Sequence, residues 1–201
     1  MEVLLLRERA PSGADESVDA SALTLAAKAA WYWPEASEVV ARAKSATRIT
    51  TSEAPTRIDR ALLLTAQAVK AIDASVIAVV WAETGLVHDA AAFVDQATDA
   101  NREDLPLYLW VRFEGTKGED GTLGMRTTGL AALGAMEVEV EGSKRDGEHV
   151  LECVTDVALF LATSPSVPDD GETLEVTRGE LRVRRMPSLR GDGTTALRVR
   201  V

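Results

Sequence analysis

Apolar and polar positions change their period about half-way along this chain. Glu2-Val-Leu-Leu-Leu-Arg7 is a short apolar run between charges and predicts a buried strand. Ala10 to Ser17 is polar and reads as a connector. Ser21 to Ala30, rich in alanine and leucine, predicts a helix that stops at Trp31-Tyr-Trp-Pro34. Pro34 forbids its continuation and pre-organises a new helix from about Glu35 to Lys44. Thr47 to Thr51 alternates with β-branched residues and predicts a strand. Thr56-Arg-Ile-Asp59 has the form of a capping box, and Ile58, Leu62, Val69 and Ile72 then recur at helical spacing. Ser75 to Trp81 is continuously apolar and predicts a central strand buried on both faces, with a helix to follow from His88 to Asp99.

Strands dominate the second half. Leu105 to Phe113 and Thr122 to Thr127 predict strands flanking a glycine-rich loop. Gly129 to Gly134 has room for one helical turn. Met136 to Glu141 alternates strictly, with Val138 and Val140 assigned inward and Glu137, Glu139 and Glu141 outward. Asp146 is positioned to cap a helix to about Ala162 with a Val150, Val154, Val157, Leu161 stripe. Pro165 to Gly171 reads as a loop, and Glu180 to Arg185 and Thr195 to Val201 as two further alternating strands. The expected class is α+β: a mixed or antiparallel sheet packed by four or five helices. The expected organisation is an N-terminal strand and polar connector over 1–20, then one compact domain over 21–201, with subdivision near 103 as the alternative.

Charge narrows the function classes. The 201 residues hold 32 acidic and 22 basic side chains, a formal net charge of −10. An acidic chain is a poor general ligand for phosphate backbones or anionic lipid, so neither a nucleic acid nor a membrane is expected as partner. The basic segment Arg178 to Val201 is the exception, with seven arginines against Glu180 and Asp192, but no aromatic residue follows Phe160 to stack bases. One cysteine, Cys153, allows neither an internal disulfide nor a cysteine-cluster zinc site. Met1 to Arg7 lacks the pattern of a signal peptide, which predicts a cytoplasmic protein.

Several strings then occur in a telling order. These are Trp33-Pro-Glu-Ala36, Ala61-Leu-Leu-Leu-Thr65, Leu107-Tyr-Leu-Trp-Val111, Thr127-Thr-Gly-Leu-Ala-Ala-Leu-Gly134, Met136-Glu-Val-Glu-Val140 and Val183-Arg184 with Pro187-Ser-Leu189. Together they resemble a bacterial family known as domain of unknown function 4261, over about Trp31 to the C-terminus. The resemblance implies a contiguous domain and a bacterial cytoplasmic origin, and it implies no activity.

Two constellations carry chemistry. Glu83 and His88 follow a buried strand, where loops expose catalytic groups, and would form an acid–base pair with Thr84 as a hydroxyl partner. The plainer reading places Glu83 at a solvated strand end and lets His88 or Asp89 open the next helix. Glu137, Glu139 and Glu141 would gather around a divalent ion or a basic partner, or would pair across strands with Arg182, Arg184, Arg198 and Arg200 and fix strand order. Trp31, Tyr32 and Trp33 would be interface anchors if exposed, though burial at a helix corner is the expectation. P-loops, dinucleotide fingerprints, nucleophile elbows and histidine-pair metal motifs are absent from the sequence, so no cofactor and no metal site is expected.

The function expected on these grounds is a non-enzymatic protein-binding module, immunity- or antitoxin-like or an adaptor to a secretion or defence assembly. Its partner would be a protein, of basic character, with a homo-oligomer also open. Partner-binding residues would be drawn from Trp31, Trp33, Glu137, Glu139 and Glu141. The alternative is a small hydrolase or transferase using Glu83 and His88, with a divalent ion as an option.

Overall fold

A computed structural model describes residues 1–8, 20–118, 120–164 and 166–201, so the expected connector over 10–17 lies outside the described residues. The chain divides into two compact units, Met1–Trp110 and Val111–Val201. Both carry α+β structure, and the expected mixture of pairings is spread over two sheets.

In the first unit the order is β1(Glu2–Arg7), α1(Ala20–Lys28), α2(Ala36–Ala41), β2(Ser45–Thr50), α3(Arg57–Ala71), β3(Val76–Trp81), β4(Leu86–Asp89), α4(Ala90–Ala97) and α5(Leu107–Trp110). Its sheet is antiparallel throughout, ordered β2-β1-β3-β4. The two apolar runs, β1 and β3, take the interior positions because both of their faces must be covered. Leu4, Leu6, Ala78, Val80 and Val87 meet α1 and α2 in one apolar cluster that also holds Trp33 at its margin. Val3, Leu5, Val79 and Trp81 alternate with them and are fully or almost fully buried on the other face.

Polar ties hold the ends of this sheet. Arg7, itself buried, donates to both carboxylate oxygens of Asp73 at 2.8 Å and to Ser75 Oγ at 2.6 Å. It also reaches Thr47 Oγ1 and the Ala71 carbonyl at 3.2 Å, joining the ends of three strands. Asp73 is held well below the usual carboxylate range, first by Ser75 and then by Arg7. The capping box at α3 forms as expected: Thr56 accepts from Asp59 N–H while the Asp59 side chain accepts from Thr56 N–H.

Two expectations in this unit are corrected. Leu107 to Trp110 is a single helical turn, and pairing begins only at Arg112. Pro106 has a φ suited to a helix start, and its carbonyl accepts from Leu109 N–H, so the short apolar run closes a turn instead of extending. His88 lies in strand β4 and not in a helix. Asp89 ends that strand and caps α4 by accepting from Ala91 and Ala92 N–H at 3.0 Å.

The second unit runs β5(Arg112–Lys117), β6(Leu123–Thr128), α6(Leu130–Leu133), β7(Val138–Ser143), α7(Gly147–Thr163), β8(Thr173–Val176), β9(Gly179–Pro187) and β10(Thr195–Arg200). Its sheet is ordered β5-β6-β7-β10-β9-β8 and is mixed, since β10 pairs parallel with β7 and every other neighbour is antiparallel. Seven helices are present among the described residues where four or five were expected, the excess being one-turn pieces such as α5 and α6. α7, capped by Asp146, buries Val150, Cys153, Val154, Val157 and Leu161 against this sheet. Gly124 marks the irregularity between β6 and β7, where a Cβ would fall 2.8 Å from the Val140 carbonyl.

Replacing Thr56 by Ala removes one half of the capping box from an exposed helix start. The expected loss is about 1 kcal/mol, read as a lower urea midpoint at unchanged slope.

Candidate functional site

The structure keeps Glu83 and His88 in separate roles. Glu83 lies in the turn after β3, where its Oε1 accepts from Glu2 N–H at 2.9 Å. Thr84 Oγ1 accepts from Leu86 N–H at 3.4 Å inside the same turn. His88 is buried on the edge strand, stacked 6.0 Å from the Tyr32 ring and tilted against Phe93 at 5.9 Å. Its Nε2 is 3.2 Å from the Leu109 carbonyl, which can only accept, so this nitrogen carries the proton of the neutral ring. Burial lowers the His88 pKa to about 4, against a smaller opposing effect of the Leu109 hydrogen bond. These contacts describe a neutral histidine that holds an edge strand to its neighbours.

The aromatic cluster is split, and the expected burial is corrected for two of its three members. Trp31 is 75% exposed and Tyr32 is 42% exposed, while Trp33 is half-buried against the first unit's core. Tyr32 is fixed at both ends: its hydroxyl donates to the Val87 carbonyl at 3.0 Å and its ring stacks on His88. Trp31 stands edge-on to Tyr32, with ring centroids 5.9 Å apart. Pro34 blocks helical winding here, so the segment turns outward and the first indole is left in water.

The three glutamates of the alternating strand diverge, which corrects the expectation that all point outward. Glu139 is 1% exposed. It accepts from Ser188 Oγ at 2.8 Å and from Leu189 N–H at 3.0 Å, and Arg198 lies 3.4 Å away. Glu137 accepts from Thr127 Oγ1 at 2.7 Å, from Gly129 N–H at 2.9 Å and from Ala131 N–H at 3.1 Å. Only Glu141 is exposed, 3.6 Å from Arg198. Arg190 donates to the Thr127 carbonyl at 2.8 Å and to the Thr128 hydroxyl.

This network gives physical content to the strings singled out in the sequence. Gly129 opens the single turn of α6 at φ 120° and Gly134 closes it at φ 92°, conformations that a side chain would strain. The carboxylate of Glu137 accepts from the Gly129 and Ala131 N–H groups at the start of that turn. The Thr-Thr-Gly-Leu, Glu-Val-Glu-Val and Pro-Ser-Leu strings thus meet across β6, β7 and the turn after β9. The predicted pairing of acidic and basic strands is present as well, because Arg198 lies directly beside Glu139 in the parallel β7–β10 register.

Arginines of β9 and β10 supply a further feature that the sequence indicated only as shared faces. Arg182, Arg184 and Arg200 are exposed, and no ion pair joins them to a carboxylate among the described residues. Cys153 is buried, and its thiol is raised above the ordinary range by burial first and by Asp156 second. No group of three or more His, Cys, Asp or Glu side chains is arranged to hold a metal among the described residues. No helix among them is long and apolar enough to cross a membrane.

Two outcomes follow from this geometry. The unfolded chain protonates His88 near pH 6.5 and the folded chain only near 4, so acidification through that window favours unfolding. Urea titrations at pH 7 and pH 4 should show His88→Gln recovering up to ~3 kcal/mol of the acid-induced loss. Glu139→Ala leaves Leu189 N–H and Arg198 without their acceptor and should cost about 3–5 kcal/mol. The exposed Glu141→Ala should cost under about 0.5 kcal/mol in the same urea assay.

Among known proteins, no curated protein matches this chain, and no solved structure matches it. One family model does match, over residues 126–199. That span takes in the Thr-Thr-Gly-Leu, Glu-Val-Glu-Val and Pro-Ser-Leu strings and leaves the upstream strings, from Trp33 to Val111, outside it. The family indicated by those strings is therefore the one found: residues 126–199 match the domain of unknown function DUF4261.

Proposed function

We propose that this protein is a non-enzymatic protein-binding module of the bacterial cytoplasm, acting as an immunity or antitoxin partner or as an adaptor in a secretion or defence assembly. The observation that carries the reading is Trp31. An indole 75% exposed is a large apolar surface left in water, yet its neighbour Tyr32 is locked by a hydrogen bond and a ring stack. A tryptophan carries a large contact area on two side-chain torsions, so it loses little conformational freedom on binding, and a single such side chain can dominate an interface. Leu25, 71% exposed on α1, adds apolar surface in the same helix–turn segment.

Charge adds a rate argument. A net charge of −10 attracts a basic partner over distances longer than contacts reach, raising the association rate more than the affinity. Of the acidic candidates, Glu141 alone is exposed and it already pairs with Arg198, while Glu137 and Glu139 satisfy backbone N–H groups. The hydrolase or transferase alternative gains nothing from the geometry, since Glu83 and His88 each serve a structural contact and His88 is buried.

The test is affinity capture from a bacterial host with the wild-type chain and with Trp31→Ala, followed by measured binding to any stoichiometric partner. Losing a well-seated tryptophan should weaken that binding at least ~30-fold, while the unfolding midpoint stays unchanged. Raising the salt concentration should slow association more than it speeds release. A partner held equally well by the alanine variant, or no stoichiometric partner, would refute the proposal.

A further inference from the structure

The six-stranded sheet has one apolar face, against α7, and one charged face. Side chains alternate along strands, so Leu181, Val183, Leu197 and Val199 turn inward and Arg182, Arg184, Arg198 and Arg200 turn the other way. In the antiparallel β9–β10 register Arg184 lies directly opposite Arg198, and Arg182 directly opposite Arg200. Four guanidinium groups are thus rooted at the corners of a patch about 5 Å across the strands and about 7 Å along them. With Glu141 and Met186 they line a cleft of about 320 Å³.

Like charges set opposite each other on a sheet are destabilising, and here two such pairs are adjacent. The β7 carboxylates of Glu139 and Glu141 both pair with Arg198, at 3.4 and 3.6 Å, and among the described residues no carboxylate pairs with Arg182, Arg184 or Arg200. Arg182, Arg184 and Arg200 are exposed, so the cleft presents their guanidinium groups to solvent. Guanidinium forks match phosphate oxygens bidentately, and a group carrying close to two negative charges engages more than one fork at once. The volume lies at the small-molecule end of binding clefts. β8, β9 and β10 contain no aromatic residue on which a base would stack, so recognition falls on the charged groups.

We propose that this arginine-lined cleft binds a compact oligophosphate, the pyrophosphate or triphosphate group of a small molecule. The site is independent of Trp31, so either reading can fail alone. The experiment is calorimetric titration of the full chain with sodium triphosphate, pyrophosphate and orthophosphate at matched ionic strength, with poly-glutamate as the carboxylate comparison. Triphosphate should bind at least tenfold more tightly than orthophosphate. The double variant Arg182→Gln/Arg184→Gln should lose at least tenfold in triphosphate affinity, with an unfolding midpoint no lower than wild type in the absence of the anion. Arg200→Gln, from the facing strand, should lose affinity too, which guards against a folding defect in the double variant. The proposal fails if triphosphate produces no binding beyond that of chloride at equal ionic strength, or if the variants bind as wild type does. It fails equally if poly-glutamate binds and triphosphate does not, which would assign the cleft to an acidic protein segment.

Discussion

A carboxylate that is almost completely buried sets the terms for the second unit. Glu139 sits on the strand at the centre of the mixed sheet, with β6 on one side and β10 on the other. A bare charge there would cost far more than a domain's net stability allows, so its oxygens must be matched by donors. They are matched by Ser188 and Leu189 from the turn after β9 and by Arg198 from β10. Those donors reach it only when β10 runs parallel to β7 with Arg198 beside Glu139. A slip of one residue would put Leu197 or Val199 opposite the charge and turn Arg198 toward α7. The apolar core tolerates neither, so one ion and its donors specify strand order, direction and register together.

The first unit solves a similar problem with the sign reversed. Arg7 ends the apolar strand β1 as a buried cation, and its Nη1 lies at both oxygens of Asp73 and at Ser75 Oγ while Nε and Nη2 reach Thr47 and a backbone carbonyl. Both ions serve as fasteners at places where chain segments distant in sequence must meet. Their cost in desolvation is offset by the number of donors and acceptors each one satisfies, and their worth lies in excluding alternative pairings.

What the sequence revealed and what it hid divide along one line. Periodicity and caps are local, and they located α3 with its box, α7 with Asp146, the apolar strands β1 and β3, and the alternating strands β9 and β10. Leu105 to Phe113 reads as a strand because the apolar run Leu107 to Trp110 carries no period, and only packing decides between a turn and an extended segment. Alternation places Glu139 outward because it treats every glutamate alike. Its burial depends on Ser188, Leu189 and Arg198, which lie some fifty to sixty residues further along the chain. The expectation for Trp31 is burial at a helix corner angled by Pro34, and the outward turn before Pro34 is a three-dimensional fact. The motif strings were legible as a pattern, yet their meaning as a glycine-bounded turn held by a carboxylate needed geometry.

The fate of the glutamates also bears on which surfaces remain free for partners. A strand reading Glu-Val-Glu-Val-Glu suggests an acidic stripe, but two of its three carboxylates are consumed by the fold. The arginines that might have cancelled them do so only once, at Arg198, because one cation and the backbone already satisfy Glu139. Arg182, Arg184 and Arg200 are therefore left over on the same face, in a chain whose net charge is −10. Using two of these acids to hold turns leaves Arg182, Arg184 and Arg200 without a carboxylate from β7, while Glu175 and Glu180 stay exposed on the same face. The net charge of the chain and the charge of the β9–β10 arginine patch are therefore opposite in sign.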